Sequence, residues 1–251
     1  SVALAQSYAS GDYSLAAAIG NTTNTYGAQA ASSVAIGFLA KATGNNSYAL
    51  GEGALASANG AMALQDSTAS GSSSFAVGEA AVASGNSSIS IGGYSDATGT
   101  NALAIGAGGT QSAGTNSVAI GYAYASGDTS FAASIGNYTN SYGASGTYSS
   151  AIGQNAKATG YGSKAWGFSA VASDTNATAI GAYAAASGSN SIALSSGFNT
   201  STASGYGSVA LGVTTATAVY SVAIGHKSKS SINGKLAYSG EAFALHGDGQ
   251  G

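Results

Sequence analysis

The stretch Ser33-Val34-Ala35-Ile36-Gly37 comes back along the chain as Ser47-Tyr48-Ala49-Leu50-Gly51, Ser88-Ile89-Ser90-Ile91-Gly92, Ser117-Val118-Ala119-Ile120-Gly121 and Ser221-Val222-Ala223-Ile224-Gly225. Aligned on its aliphatic residue, the box recurs sixteen times without a gap. The series is Leu4, Ile19, Ile36, Leu50, Leu64, Val77, Ile91, Ile105, Ile120, Ile135, Ile152, Trp166, Ile180, Leu194, Leu211 and Ile224. Most steps are 13 to 15 residues and three are 17. A repeat of this size marks a stack of small equal units, and it governs every other assignment.

Each box is short, alternates with period two and is followed by Gly, which reads as a strand and a turn. A few residues later comes a second alternating piece, such as Ala40-Lys41-Ala42, Ala81-Val82-Ala83 or Ala156-Lys157-Ala158, and then Ser-Gly or Thr-Gly. One period therefore holds two strands and two tight turns. It is too short for a helix and its connections, since isolated helices under about a dozen residues are marginal. The expected fold is all-β: a two-sided coil stacked on its copies through parallel backbone hydrogen bonds. Sixteen coils at about 4.8 Å each make a stack of roughly 75 Å.

A longer repeat lies on top. Residues 1–65 align without a gap to residues 117–181, so that Gly11-Asp12-Tyr13-Ser14-Leu15 matches Gly127-Asp128-Thr129-Ser130-Phe131. The boxes extend to Gly225, which divides the chain into a repeat region, 1–225, and a C-terminal cap or connector, 226–251. The chain starts inside a motif at Ser1-Val2-Ala3-Leu4, as a piece of something longer would.

The two faces of the box differ. Its middle position is Ala or Ser, as at Ala3, Ala35, Ser90, Ala119 and Ala210. Two facing rows of Ala leave room for only a very thin roll. Such a roll gains about 0.8 kcal/mol per buried carbon, against about 1–2 kcal/mol per ordered residue. The aliphatic position is apolar in every coil, and a continuous apolar ridge implies a partner surface. Another copy of the chain is the simplest one. The expected interface ridge is Ile19, Ile36, Leu50, Leu64, Val77, Ile91, Ile105, Ile120, Ile135, Ile152, Trp166, Ile180, Leu194, Leu211 and Ile224. The converse geometry, with Ile inside the roll and Ala at the interface, stays open on the sequence. The place two residues earlier accepts Val34, Tyr48, Met62 and even Lys164, which suits the edge of an interface.

Composition narrows the function. The net charge is −3, there is no Arg and only 6% of residues are charged, so nothing here matches a phosphate backbone and nucleic acid is not expected as a partner. Cys and Pro are absent, which rules out disulfides and thiolate metal sites. No long apolar run is present to insert directly into a membrane.

With the boxes in phase, the repeats around Ser33-Val34-Ala35-Ile36-Gly37, Asn116-Ser117-Val118-Ala119-Ile120-Gly121 and Ser221-Val222-Ala223-Ile224-Gly225 resemble the head repeats of YadA-type trimeric autotransporter adhesins. The resemblance spans about residues 1–230. It implies a left-handed parallel β-roll with three chains side by side, a homotrimer at the cell surface that attaches to a host-surface glycan or to a matrix or receptor protein. The tail beyond Ile224 does not look like the neck and stalk of that family. It resembles a short segment of bacteriophage structural proteins, where similar repeats occur, so a virion fibre is the alternative.

No catalytic residue, metal ligand or cofactor is assigned. Glu52 and Glu79 follow box glycines at equivalent turns two coils apart, about 10 Å, and read as solvated turn carboxylates rather than a hydrolytic pair. A polysaccharide-degrading β-helix is therefore a lesser alternative, and so is an ice-binding solenoid, because Lys41, Leu55, Val82, Tyr124 and Lys157 make the outward face of the second strands irregular. His226 and His246, with Asp248, read as a polar cap. Tyr122, Tyr124, Tyr138 and Tyr142 are candidate ligand contacts, because Tyr combines apolar area with a hydroxyl.

Overall fold

The computed structural model describes residues 1–18, 24–134, 141–195, 197 and 199–240. These residues form a parallel β-solenoid of about sixteen coils, with no helix among them, in two compact units, Ser1–Tyr122 and Ala123–Gly251. In the first unit the box strands Val34–Ile36, Tyr48–Leu50, Met62–Leu64, Phe75–Val77, Ile89–Ile91, Leu103–Ile105 and Val118–Gly121 pair in parallel, each with the next. The short second strands form their own ladder, Lys41↔Leu55↔Thr68↔Val82↔Asp96↔Gln111. In the second unit the box ladder runs Phe131↔Ser150↔Lys164↔Thr178↔Ile192↔Val209↔Val222. Both strands of a coil need every N–H for these ladders, which a chain without Pro supplies.

The interior follows from the alternation. In the coil that begins at Ser47, four side chains point inward, Ser47, Ala49, Ala54 and Ala56, and all are fully buried. The same four places hold Ser163, Ala165, Ala170 and Ala172 in the second unit. The core is thus one methyl or hydroxymethyl deep from each side. Two inward hydroxyls are answered by a neighbouring Ser: Ser90 Oγ lies 2.6 Å from Ser95 Oγ, and Ser112 Oγ 2.7 Å from Ser117 Oγ, whereas those of Ser134 and Ser228 have no partner. The Ser that opens the box sits over a turn carbonyl three residues back. Ser33 donates to the Ala30 oxygen at 2.7 Å and Ser117 to that of Gly114 at 2.6 Å. At Ser47, Ser74 and Ser163 the hydroxyl has no partner. The backbone turn there is the same, with Ser47 N–H on the Gly44 oxygen as Ser33 N–H is on that of Ala30, so rotation about χ1 brings the hydroxyl to the equivalent carbonyl.

The turns are held by left-handed residues in register. The residue before the box is Tyr13, Ser32, Asn46, Ser73, Ser87, Asn101 or Asn116 in the first unit, with φ near 55°, or Gly60 at 68°. Asn is enriched among residues that tolerate this region. In the second unit the same place is held by Thr129, Tyr148, Asn176, Asn190 and Tyr220, and by Gly162, Gly207 and Gly234.

Two features of the strand register depart from the box alignment. The box alignment put Ile19 and Ile135 on the ridge. Strand register instead pairs Ala17 with Ile36 and Ala133 with Ile152, so Ala holds the ridge place in those two coils. Ile19 and Ile135 lie outside the described residues. The reason is local: the left-handed turns at Tyr13 and Thr129 fix Ser14 and Ser130 as the box openers, and the Ile falls two residues late. The second concerns the end of the repeat region. Val222–Ser230 is one strand, and it pairs on with Leu236–Ser239, matching Ile224 to Tyr238. Leu236-Ala237-Tyr238 is one more box, with Ala237 buried, so the ladder runs past residue 225. His246 and Asp248 lie outside the described residues.

Candidate assembly face and turn columns

Strand alternation aims the aliphatic box residue and the residue two before it away from the Ala core. Ile36 is 42% exposed, Ile120 41% and Ile152 40%, while Ala35, Ala119 and Ala151 between the columns are buried. Leu50, Leu64, Val77, Ile180, Leu211 and Ile224 are somewhat more covered, and Ile91, Ile105, Trp166 and Leu194 are as open as Ile36. Ala fills the coil and Ile lies outside it in both units.

The column beside this ridge is apolar in the first unit, with Val34, Tyr48, Met62, Phe75, Ile89, Leu103 and Val118 in succession. In the second it opens into Ser150, Lys164 and Thr178 before returning to Ile192. Trp166 stands on the ridge at this polar interval. Its indole N–H donates to Ser150 Oγ at 3.0 Å, which draws the ring back over the preceding coil. Trp166 pairs in register with Ile152 and Ile180, and its tether is not legible in the series.

The opposite outward column, on the second strands, is irregular: Lys41, Leu55, Thr68, Val82, Asp96, Gln111 in one unit and Lys157, Val171, Ala185, Thr202, Thr215 in the other. Burial pushes the Asp96 carboxyl above its ordinary range, partly offset by a hydrogen bond from Gln111 Nε2. Glu52 and Glu79 do stand on one turn column, and Asp66 occupies the coil between them. The Glu79 carboxylate accepts the Tyr94 hydroxyl at 3.1 Å. That bond, and then the carboxylate's charge, raise the Tyr94 phenol above its ordinary range.

The four candidate Tyr contacts fare unevenly. Tyr122, Tyr124 and Tyr142 are half-buried. Tyr122 lies over Gly108, where any side chain would strike its ring. Tyr138 lies outside the described residues. More open are Tyr13, Tyr94, Tyr148, Tyr161, Tyr206 and Tyr220, all on turns, and Tyr238 on the last strand. Their common turn position was visible in the sequence; which turns stack on which was not.

No curated protein matches the chain. The family described as YadA head domain repeat (2 copies) matches it eleven times, at residues 28–47, 42–64, 69–95, 83–108, 97–123, 144–163, 165–184, 172–194, 199–215, 203–228 and 216–234. These overlapping segments take in well over half of the chain and follow the coil period, so the chain belongs to the YadA head repeat family and is an adhesin-like structural segment of the trimeric autotransporter type.

Proposed function

We propose that this segment is a non-catalytic part of a homotrimeric surface fibre. Three copies join through the ridge face, and attachment to a host glycan, matrix or receptor protein is carried by residues outside it. The observation that supports this best is the ridge itself. Within each unit, coil after coil leaves an Ile, Leu or Val half-exposed on one face while the interior buries only Ala and Ser. Fully burying such a side chain is worth about 1.5–3 kcal/mol. Half of that remains to be gained at each ridge place, which sums to the order of 10 kcal/mol per chain. Assembly would therefore supply apolar burial that the thin core lacks.

The place of action under this reading is extracellular, at a cell surface, with anchoring left to parts outside the segment. Membership in the head repeat family favours a surface adhesin over a virion fibre.

Sedimentation of the purified segment should give three times 23.8 kDa. Ile120→Asp, on the ridge, should abolish assembly, and Lys41→Asp, on the opposite column, should leave it intact. A stable wild-type monomer would remove the basis of the proposal.

A further inference from the structure

In the second unit, one turn column presents aromatic rings and amides at the coil repeat, and we propose that it binds an extended, uncharged polysaccharide chain. The idea builds on the reading of this chain as an attachment segment and names the ligand class and the place. The column is held in register by its own backbone ladder, separate from the strands. Gly162 N–H donates to the Thr147 oxygen at 2.9 Å, Asn176 to Tyr161 at 2.7 Å, and Asn190 to Thr175 at 2.8 Å. Gly207 then donates to Ser189 at 2.9 Å and Tyr220 to Tyr206 at 2.8 Å. The turns therefore advance by one strand spacing per coil, about 4.8 Å.

What they carry is ordered. Tyr148 and Tyr161 pair edge to face at 5.4 Å, and so do Tyr206 and Tyr220. Between the pairs, Asn176 Nδ2 donates to Asn190 Oδ1 at 3.3 Å. The sequence along the edge is ring, ring, amide, amide, ring, ring. Tyr161 and Tyr206 stand three coils apart, about 14 Å. Each of the four rings keeps roughly half its surface open, from 48% at Tyr206 to 61% at Tyr220. The Asn pair spends one donor and one acceptor on itself, which leaves further N–H and C=O capacity on both amides.

A pyranose presents an apolar C–H face and a rim of hydroxyls. The face suits a Tyr ring, and the rim suits an amide that both donates and accepts. A chain of such rings running along the column would meet a Tyr pair at each end and the Asn pair between. The charge pattern selects among glycans. Among the described residues of this column the charged side chains are Asp128, whose backbone oxygen accepts the Tyr148 N–H at 2.9 Å, and Asp174, whose carboxylate accepts the Thr175 N–H at 2.7 Å. The turns from Tyr148 to Tyr220 carry no cation among the described residues, so sulfated or uronic chains have no counter-charge there. The equivalent column of the first unit holds a single Tyr, Tyr13, among Ser, Asn and Gly.

The test is calorimetric titration of the whole segment with β-1,4-linked hexasaccharides of glucose, xylose, mannose and N-acetylglucosamine, with a hexagalacturonate as the acidic counterpart. Tyr161→Ser combined with Tyr206→Ser removes one ring from each pair. Neither residue is left-handed, and each precedes a left-handed Gly, so the turn survives the change. Tyr13→Ser is the matched control, since Ser32 and Ser73 already hold that conformation in the same column. The expected result is saturable, salt-insensitive binding of at least one neutral chain, weakened tenfold or more in the double variant and unchanged in Tyr13→Ser. Binding of none of the neutral chains overturns the proposal. So does equal binding by the double variant, or salt-sensitive binding of the acidic chain alone. Sedimentation of the same samples separates this outcome from a failure to assemble.

Discussion

Gly85→Ala and Gly93→Ala are the same chemical change eight residues apart in one coil, and the structure assigns them opposite signs. A Cβ on Gly85 would run into the carbonyl of Gly99 in the next coil, with its carbon at 2.5 Å and the Thr98 oxygen at 2.9 Å. Ordinary contact needs about 1 Å more, so the two coils must part. The bonds that resist are Ser84 N–H to the Ala97 oxygen at 3.0 Å and Gly85 N–H to the same oxygen at 3.3 Å. Leaving such a buried group unpaired costs about 1–3 kcal/mol, and overpacking adds about 1–3 kcal/mol. The expected loss is about 4 kcal/mol, or about 10 °C in Tm for a chain of this size. At Gly93 an added Cβ meets only the Glu79 oxygen, at 3.7 Å. Its backbone is not left-handed, so Ala there should stabilise by about 0.5 kcal/mol through the unfolded chain. Thermal unfolding of both variants at equal protein concentration decides the matter, since assembly makes Tm concentration-dependent. A Gly85→Ala protein melting within a degree or two of the wild type would refute coil-to-coil contact as the reason for the recurrent glycine.

Ala76→Leu adds bulk opposite Ala81 and Ala83 and should cost about 3 kcal/mol, whereas Val77→Leu on the outer face should be near neutral; urea midpoints compare them. Asp96 holds its proton more tightly folded than unfolded, because burial raises its pKa. Its contribution is therefore full below the ordinary carboxylate range and lost as pH rises through the raised value. Asp96→Asn should raise Tm at pH 7 but not near pH 3, and an equal shift at both values would contradict this. For Tyr94, also raised, the contribution persists below the ordinary phenol range and disappears as pH rises through its own value. Glu79→Gln should bring that titration down, read as the tyrosinate absorbance difference between otherwise identical proteins with Tyr94 and Tyr94→Phe.

Much of this protein is written in one dimension because its fold is nearly one-dimensional. Alternation in Ser33-Val34-Ala35-Ile36 separates inside from outside, and the period fixes how many coils there are. The size of Ala sets how thin a coil must be. From those facts the parallel solenoid and the exposed Ile ridge both follow, and Ala49 and Ile36 are where that logic places them.

Three things needed the folded chain. Ala17 and Ala133 pair with Ile36 and Ile152 on the ridge column, because register obeys the left-handed turn and the backbone ladder rather than the best-looking box. Leu236-Ala237-Tyr238 continues the ladder although it lacks the box glycine, because parallel pairing asks for alternation and free N–H groups, not for the motif. Tyr161 and Tyr206 lie 45 residues apart in the sequence and share one edge, since each coil returns the chain to the same turn. The box fixes what every coil has in common. Which of the variable residues become neighbours is decided by the stacking of one coil on the next.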